Sequence, residues 1–299
     1  MKSNLVLYLK GLAMGAADIV PGVSGGTIAL ITGIYEELIS SIKNINTQLM
    51  KTLFKKGIRQ FWKDLNGTFL IILVTGIFTS VVLLSRVIVF LLENHEYKIW
   101  GFFFGLIIAS AFVILKDIKT LNLKNIIIVL FGFAIAAGVV LSNTTNLPNT
   151  DLYIFFSGSI AITAMILPGI SGSFILLLLS KYEFIINAIK DFDLRIILVF
   201  GFGCVFGLLI FSRLLHFLFQ NYKDNLLCIL SGFLIGSLIK IWPFRKVLET
   251  RTNSEGINEV VVSQPVLPSP QDLESLLIFT IFSICGYLLI TIIQKKSIL

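Results

Sequence analysis

The chain has 299 residues, of which 56% are hydrophobic and only 14% charged, and its mean hydropathy is +0.93. A soluble domain carries roughly 25% charged residues, so this polar inventory excludes a water-covered globule and makes lipid the main solvent. The net charge of +7 does not mark a nucleic-acid binder, because the basic residues sit mainly in loops between apolar runs, where they orient membrane proteins.

In chain order, the first apolar stretch covers 5–42 and is broken at Pro21-Gly22. Proline removes a backbone donor and clashes with the preceding turn, and glycine permits a reversal, so the stretch reads as two half-helices meeting at a sharp turn. No small-residue cleavage site follows a short apolar run near Met1, so a retained first segment is expected rather than a signal peptide. The loop 43–63 holds Lys43, Lys51, Lys55, Lys56, Arg59 and Lys63 and should face the cytoplasm. Segments 68–92, 99–115 and 125–142 are long enough, or nearly so, to span a bilayer. The loop after the second of them carries Lys116, Lys119 and Lys124, and 143–151 has no Lys or Arg. A second broken stretch, 152–189, turns at Pro168-Gly169. Spans follow at 194–220, 226–241 and 273–293, and Lys295 and Lys296 place the C-terminus, like the N-terminus, in the cytoplasm. The segment 242–272, with Pro265, Pro268 and Pro270, should be an external, partly disordered loop. On this topology both broken hairpins are re-entrant and enter from opposite leaflets; the alternative is that their half-helices, about 15 residues each, cross fully.

The chain repeats itself. At a shift of 147 residues Pro21-Gly22-Val23-Ser24-Gly25 falls on Pro168-Gly169-Ile170-Ser171-Gly172, and Tyr35-Glu36 falls on Tyr182-Glu183. At a shift of 127, Ser85-Arg86 meets Ser212-Arg213 and Asn94 meets Asn221; at 131, Gly101-Phe102 and Gly105 meet Gly232-Phe233 and Gly236. Chance matching of apolar residues does not produce ordered matches of Pro, Tyr-Glu, Ser-Arg and Asn. The expected fold is an all-α polytopic membrane protein with an inverted-topology repeat. Its halves are 1–147 and 148–299, each with one re-entrant broken hairpin and three transmembrane helices. Secondary transporters built this way hold substrate near the bilayer midplane, at the repeat interface.

The candidate site follows from those turns. A half-helix that starts inside the membrane leaves amide donors open, and its dipole favours an anion. Gly22, Gly25, Gly169 and Gly172 allow close backbone approach, and Ser24 and Ser171 can cap or donate. Arg86 and Arg213 sit within apolar helices, where an unpaired arginine costs at least about 2.5 kcal/mol; a guanidinium fits phosphate or carboxylate. Their alternatives are an ion pair with Glu36 or Glu183, and snorkelling to the interface. Glu36 and Glu183, expected at the end of each second half-helix, could instead carry a coupling proton. Asp18, with Met165 at the matching position, could bind a coupling cation or proton or make a helix-end contact. His216 reads as packing. Cys204, Cys228 and Cys285 lie in apolar runs without metal-ligand spacing, and neither a metal nor a cofactor is expected beyond a proton or sodium gradient.

The motif Gly11-x-x-Met14-Gly15-x-Ala17-Asp18-Ile19-Val20-Pro21-Gly22-Val23-Ser24-Gly25-Gly26-Thr27, with Leu167-Pro168-Gly169-Ile170-Ser171-Gly172-Ser173, resembles the bacterial PopT family. The resemblance covers nearly the whole chain apart from 242–272. It implies a polyprenyl-phosphate translocase of the bacterial cytoplasmic membrane that returns undecaprenyl phosphate to the cytoplasmic leaflet for envelope synthesis. The partners would be that lipid and the bilayer, and no catalysis is implied. Two other readings compete. One is a transporter of a small soluble anion. The other is an undecaprenyl-pyrophosphate phosphatase, whose family places an arginine after the turn serine where Gly25 and Gly172 stand here.

Overall fold

The computed structural model describes residues 2–20, 22–118, 122–252 and 258–297. Pro21 and Lys119 lie outside the described residues. The first broken stretch is three helices rather than two: α1 (Lys2–Ile19), α2 (Gly25–Ile31) and α3 (Tyr35–Lys43). The expected loop 43–63 is largely helical, as α4 (Thr47–Lys56) and α5 (Ile58–Leu65). Three long helices follow, α6 (Gly67–Asn94), α7 (Glu96–Lys116) and α8 (Leu123–Leu141). The second broken stretch is again three helices, α9 (Asp151–Ile166), α10 (Gly172–Leu178) and α11 (Tyr182–Lys190), and α12 (Leu194–Asn221) and α13 (Lys223–Ile241) come next. The expected partly disordered loop carries two antiparallel strands, β1 (Arg245–Thr252) and β2 (Asn258–Pro265), then a 3-10 turn at Pro270–Asp272. The chain closes with α14 (Leu273–Ser297).

Among the described residues six helices, α6, α7, α8, α12, α13 and the one over Pro270–Gln294, are long and apolar enough to cross a bilayer, and they are the six spans read from the sequence. The protein is a multi-pass membrane protein. The extra breaks inside the hairpins were not foreseen. α2 ends at Gly33, which has φ +74°, and α10 ends at Ser180, with φ +51°; α10 and α11 meet at 108°. Glu36 and Glu183 therefore stand in the first turns of α3 and α11, not at the ends of the half-helices.

Small residues set the helix packing. A methyl group on Gly11 would lie 2.4 Å from the Leu73 carbonyl oxygen, and one on Gly15 would lie 2.5 Å from that of Ile77. Both residue numbers advance by four, so α1 and α6 run parallel. α9 and α12 do the same: Gly203 lies on Phe155, and Gly207 on Ser159. The other four spans take their neighbours from the opposite half of the chain. α7 packs along α14 through Gly101 on Phe279 and Gly105 on Ser283. α8 packs along α13 through Gly232 on Val129 and Gly236 on Phe133. These pairs are parallel as well. The third span of each sequence half thus lies against the second span of the other, and the halves interlock.

Lys181 closes the α10–α11 break. It is fully buried, and its ammonium donates to the Leu147 carbonyl and to Asn149 Oδ1, tying the bend to the loop ahead of α9. Lys181→Met keeps the stem but removes both ammonium hydrogen bonds, to a half-buried carbonyl and an exposed amide, at about 0.5–1.5 kcal/mol each. The expected result is a melting temperature lowered by several degrees, read by thermal unfolding in detergent. An unchanged melting temperature would show that water replaces the ammonium.

Candidate functional site

The two hairpin turns meet. Each reverses through a glycine in the left-handed region, Gly22 at φ +86° and Gly169 at φ +85°, which only glycine adopts without strain. Ser24 Oγ donates to the Met165 carbonyl at 2.9 Å, the Gly169 amide donates to Thr27 Oγ1 at 3.2 Å, and the Tyr35 hydroxyl donates to the Ile166 carbonyl at 3.2 Å. Ser24, Thr27 and Tyr35 are all buried. Polar groups withdrawn from water must find partners, and here each turn supplies the other's.

The amides of the two turns are treated differently. At the first, Ser24 Oγ also accepts from the Gly26 amide at 3.0 Å, and Asp18 Oδ1 accepts from the Gly25 amide at 2.7 Å. The start of α2 is therefore answered from within the chain, and by a carboxylate, so it is not the open anion cradle expected from the motif. At the second turn Ser171 Oγ pairs with Ser173 Oγ at 2.8 Å and no side chain caps α10. Met165 stands where Asp18 stands in the first copy, so no acid occupies that turn. Gly25 and Gly172 sit tight against Asp18 and the Ala161 carbonyl, which explains their size rather than assigning them a ligand.

The arginines are not drawn into the joint. Arg86 and Arg213 are both exposed, and neither makes an ion pair or hydrogen bond with the described residues. On α6 the residues facing α1 include Gly76 and Ser80; Arg86 follows Ser80 by six positions, which turns it well away from that face. Both do stand level with the turns. The α1–α6 register carries Ile19 to about residue 83, and the α9–α12 register carries Ile166 to about residue 213. Glu36 pairs with Lys223 at 3.5 Å rather than with an arginine, and Glu183 is exposed. His216 Nδ1 lies 3.1 Å from Ser40 Oγ and so links α12 to α3. No cluster of His, Cys, Asp or Glu that could hold a metal occurs among the described residues.

One cation at the joint was not singled out from the sequence. Lys240 is the next-to-last residue of α13. Its stem lies on Gly22, where an added methyl would come within 2.7 Å of Lys240 Cγ. Its ammonium stands 4.4 Å from the centre of the Phe174 ring on α10. The only signal was a lysine in the run Leu238-Ile239-Lys240-Ile241, which reads equally well as the interfacial end of a span.

A chain of apolar spans with two buried, mutually bonded hairpin turns defines a polytopic helical membrane protein. It belongs to the undecaprenyl phosphate translocase-like family, whose model matches residues 14–259. It is 47% identical over 272 residues to a polyprenyl-phosphate transporter of Vibrio cholerae, covering 91% of this chain and 88% of that one. It is 37% identical over 253 residues to a polyprenyl-phosphate transporter of Staphylococcus aureus, covering 79% and 85%. No solved structure matches the chain. The family read from the turn motifs is thus the family to which the chain belongs.

Proposed function

We propose that the protein carries a polyprenyl phosphate, undecaprenyl phosphate in the first instance, from the outer to the cytoplasmic leaflet of the bacterial membrane by alternating access, returning the carrier lipid for envelope synthesis. The names of its relatives support the cargo. The observation that carries the mechanism is an asymmetry between the two repeats. α3 is sealed onto the end of α12 by the Tyr35–Phe219 ring contact (centroids 5.7 Å apart) and by Ser40 with His216, and onto the start of α13 by Glu36 with Lys223. The matching helix of the second repeat, α11, packs on α10 and α12, and its Tyr182 and Glu183 are exposed. One conformation in which equivalent gates are closed on one side and open on the other is what a two-state inverted repeat requires.

The helix directions support that inversion. Between α1 and the parallel α6 the chain must return to the side on which it began, so α2 and α3 bring it back and the hairpin is re-entrant. α2 has seven residues, about 10 Å, too short to cross. The same holds for α9 to α12. Successive spans alternate in direction, so α8 opposes α7. Since α13 is parallel to α8, it opposes α7, its repeat partner. The halves 1–147 and 148–299 are then inverted copies. The basic loop of α4 and α5 faces the cytoplasm with both termini, the closed gate is cytoplasmic, and the open one faces outward. Asp18 is the group assigned to coupling, by proton or sodium. Hydrolysis is disfavoured because the Ser24 hydroxyl is spent on a carbonyl and Ser171 on Ser173, and among the described residues no carboxylate or imidazole is hydrogen-bonded to either hydroxyl.

The test is leaflet exchange. Purified protein in liposomes with fluorescent undecaprenyl phosphate should speed its loss of outside accessibility well beyond that of empty liposomes, and inorganic phosphate should not compete. No acceleration under any imposed gradient would sink the proposal, and competition by inorganic phosphate would favour a soluble-anion transporter.

A further inference from the structure

We infer that Lys240 is the headgroup ligand of the outward-facing state, the cation that meets the lipid phosphate where the two hairpin turns join. This rests on the translocase reading above. Three observations converge on it. Lys240 touches both turns, through Gly22 with its stem and through Phe174 with its ammonium. It makes no ion pair or hydrogen bond among the described residues, so its charge is answered only by an aromatic face. A half-buried ammonium held that weakly is available to an incoming anion, and a lone ring contact yields to a charge-assisted bond. Finally, Lys240 lies at the end of α13 that leads into β1, on the side where α11 is not sealed. Arg245, at the start of β1, donates to the Ile239 carbonyl at 2.8 Å, fixing this end of the helix and adding a second positive charge.

The residue is also single-copy. At the repeat shift of 131 its partner is Ala109, which is buried within α7. A cation on one face of an otherwise inverted pair gives the two open states unequal affinity for phosphate. The lipid is held on the outward side, and its headgroup leaves Lys240 as the gates exchange. Arg86 and Arg213, both exposed, are not required for this contact.

The experiment is equilibrium binding in detergent, read as ligand-induced thermal stabilisation with undecaprenyl phosphate and, separately, undecaprenol. Lys240→Gln and Lys240→Met keep the stem on Gly22 and remove the charge. Both should bind the phosphate about tenfold more weakly while binding undecaprenol as the unaltered protein does, and Lys240→Arg should stay within about threefold on both ligands. Neutral variants that bind undecaprenyl phosphate as tightly as the unaltered protein would overturn the assignment, as would equal loss of both ligands. These readouts do not depend on transport: unaltered protein that binds the lipid phosphate through Lys240 but fails leaflet exchange would overturn the translocase reading alone. Unaltered protein that binds neither lipid would overturn both.

Discussion

Gly169→Ala is expected to leave less than about a tenth of leaflet exchange and to lower stability by roughly 2–5 kcal/mol, the sum of a left-handed backbone forced on an L residue and an overpacked contact. Gly169 holds φ +85°, and an added methyl would lie 2.8 Å from the Phe233 carbonyl oxygen in the middle of α13. That carbonyl belongs to a helix clamped between α7 and α8, so it cannot yield as a flexible side chain would. Any retreat must come from the turn, which loosens the Gly169 amide from Thr27. Gly33→Ala is the control. Gly33 also has positive φ, +74°, but nothing lies within 4 Å of a methyl there. It should lose only the backbone cost, about 1–2 kcal/mol, and keep most exchange. Melting temperatures and exchange rates of the two variants side by side decide the matter. Equal losses would show that backbone strain alone matters and that the turn-to-α13 contact is unimportant.

The contrast marks what sequence patterning can reveal. The turns were legible because Pro-Gly in an apolar run has one physical meaning and because the motif occurs twice. The six spans were legible because hydropathy over about 20 residues is decided by lipid, not by neighbours. The breaks at Gly33 and Ser180 were not: a seven-residue helix followed by a bend is apolar on both sides, so no change of composition marks it. The hairpin of β1 and β2 was missed because its prolines and mixed charges carry the same signal as an irregular loop. At the site, the matching positions of Arg86 and Arg213 in the sequence did not fix where either side chain sits. Which face of a helix looks inward depends on which helix it packs against, and α6 packs on α1 through Gly76 and Ser80, leaving Arg86 outside. Lys240 was invisible for the opposite reason. Its importance comes from Gly22 and Phe174, which lie 218 and 66 residues away along the chain.

Asp18 yields the second large effect. Its Oδ1 takes the Gly25 amide at 2.7 Å, and its other oxygen rests against Gly25, within 2.6 Å of where a methyl would be. It stands at the C-terminal end of α1, where the helix dipole opposes a negative charge, and at the N-terminal end of α2, where the dipole favours one. No lysine or arginine pairs with it among the described residues. A carboxylate inside a membrane protein without a fixed cation must be neutralised by an ion that comes and goes, or it must draw its support from amide donors alone. Asp18→Asn separates these cases, because the amide oxygen still accepts from Gly25 while the charge is gone. The expected outcome is a melting temperature within a few degrees of the unaltered protein, with exchange that no longer responds to an imposed proton or sodium gradient. Asp18→Leu should in addition lose the cap, about 1–2 kcal/mol, and with it most exchange. If Asp18→Asn still follows the gradient, the carboxylate is only a helix cap, and the coupling ion binds elsewhere.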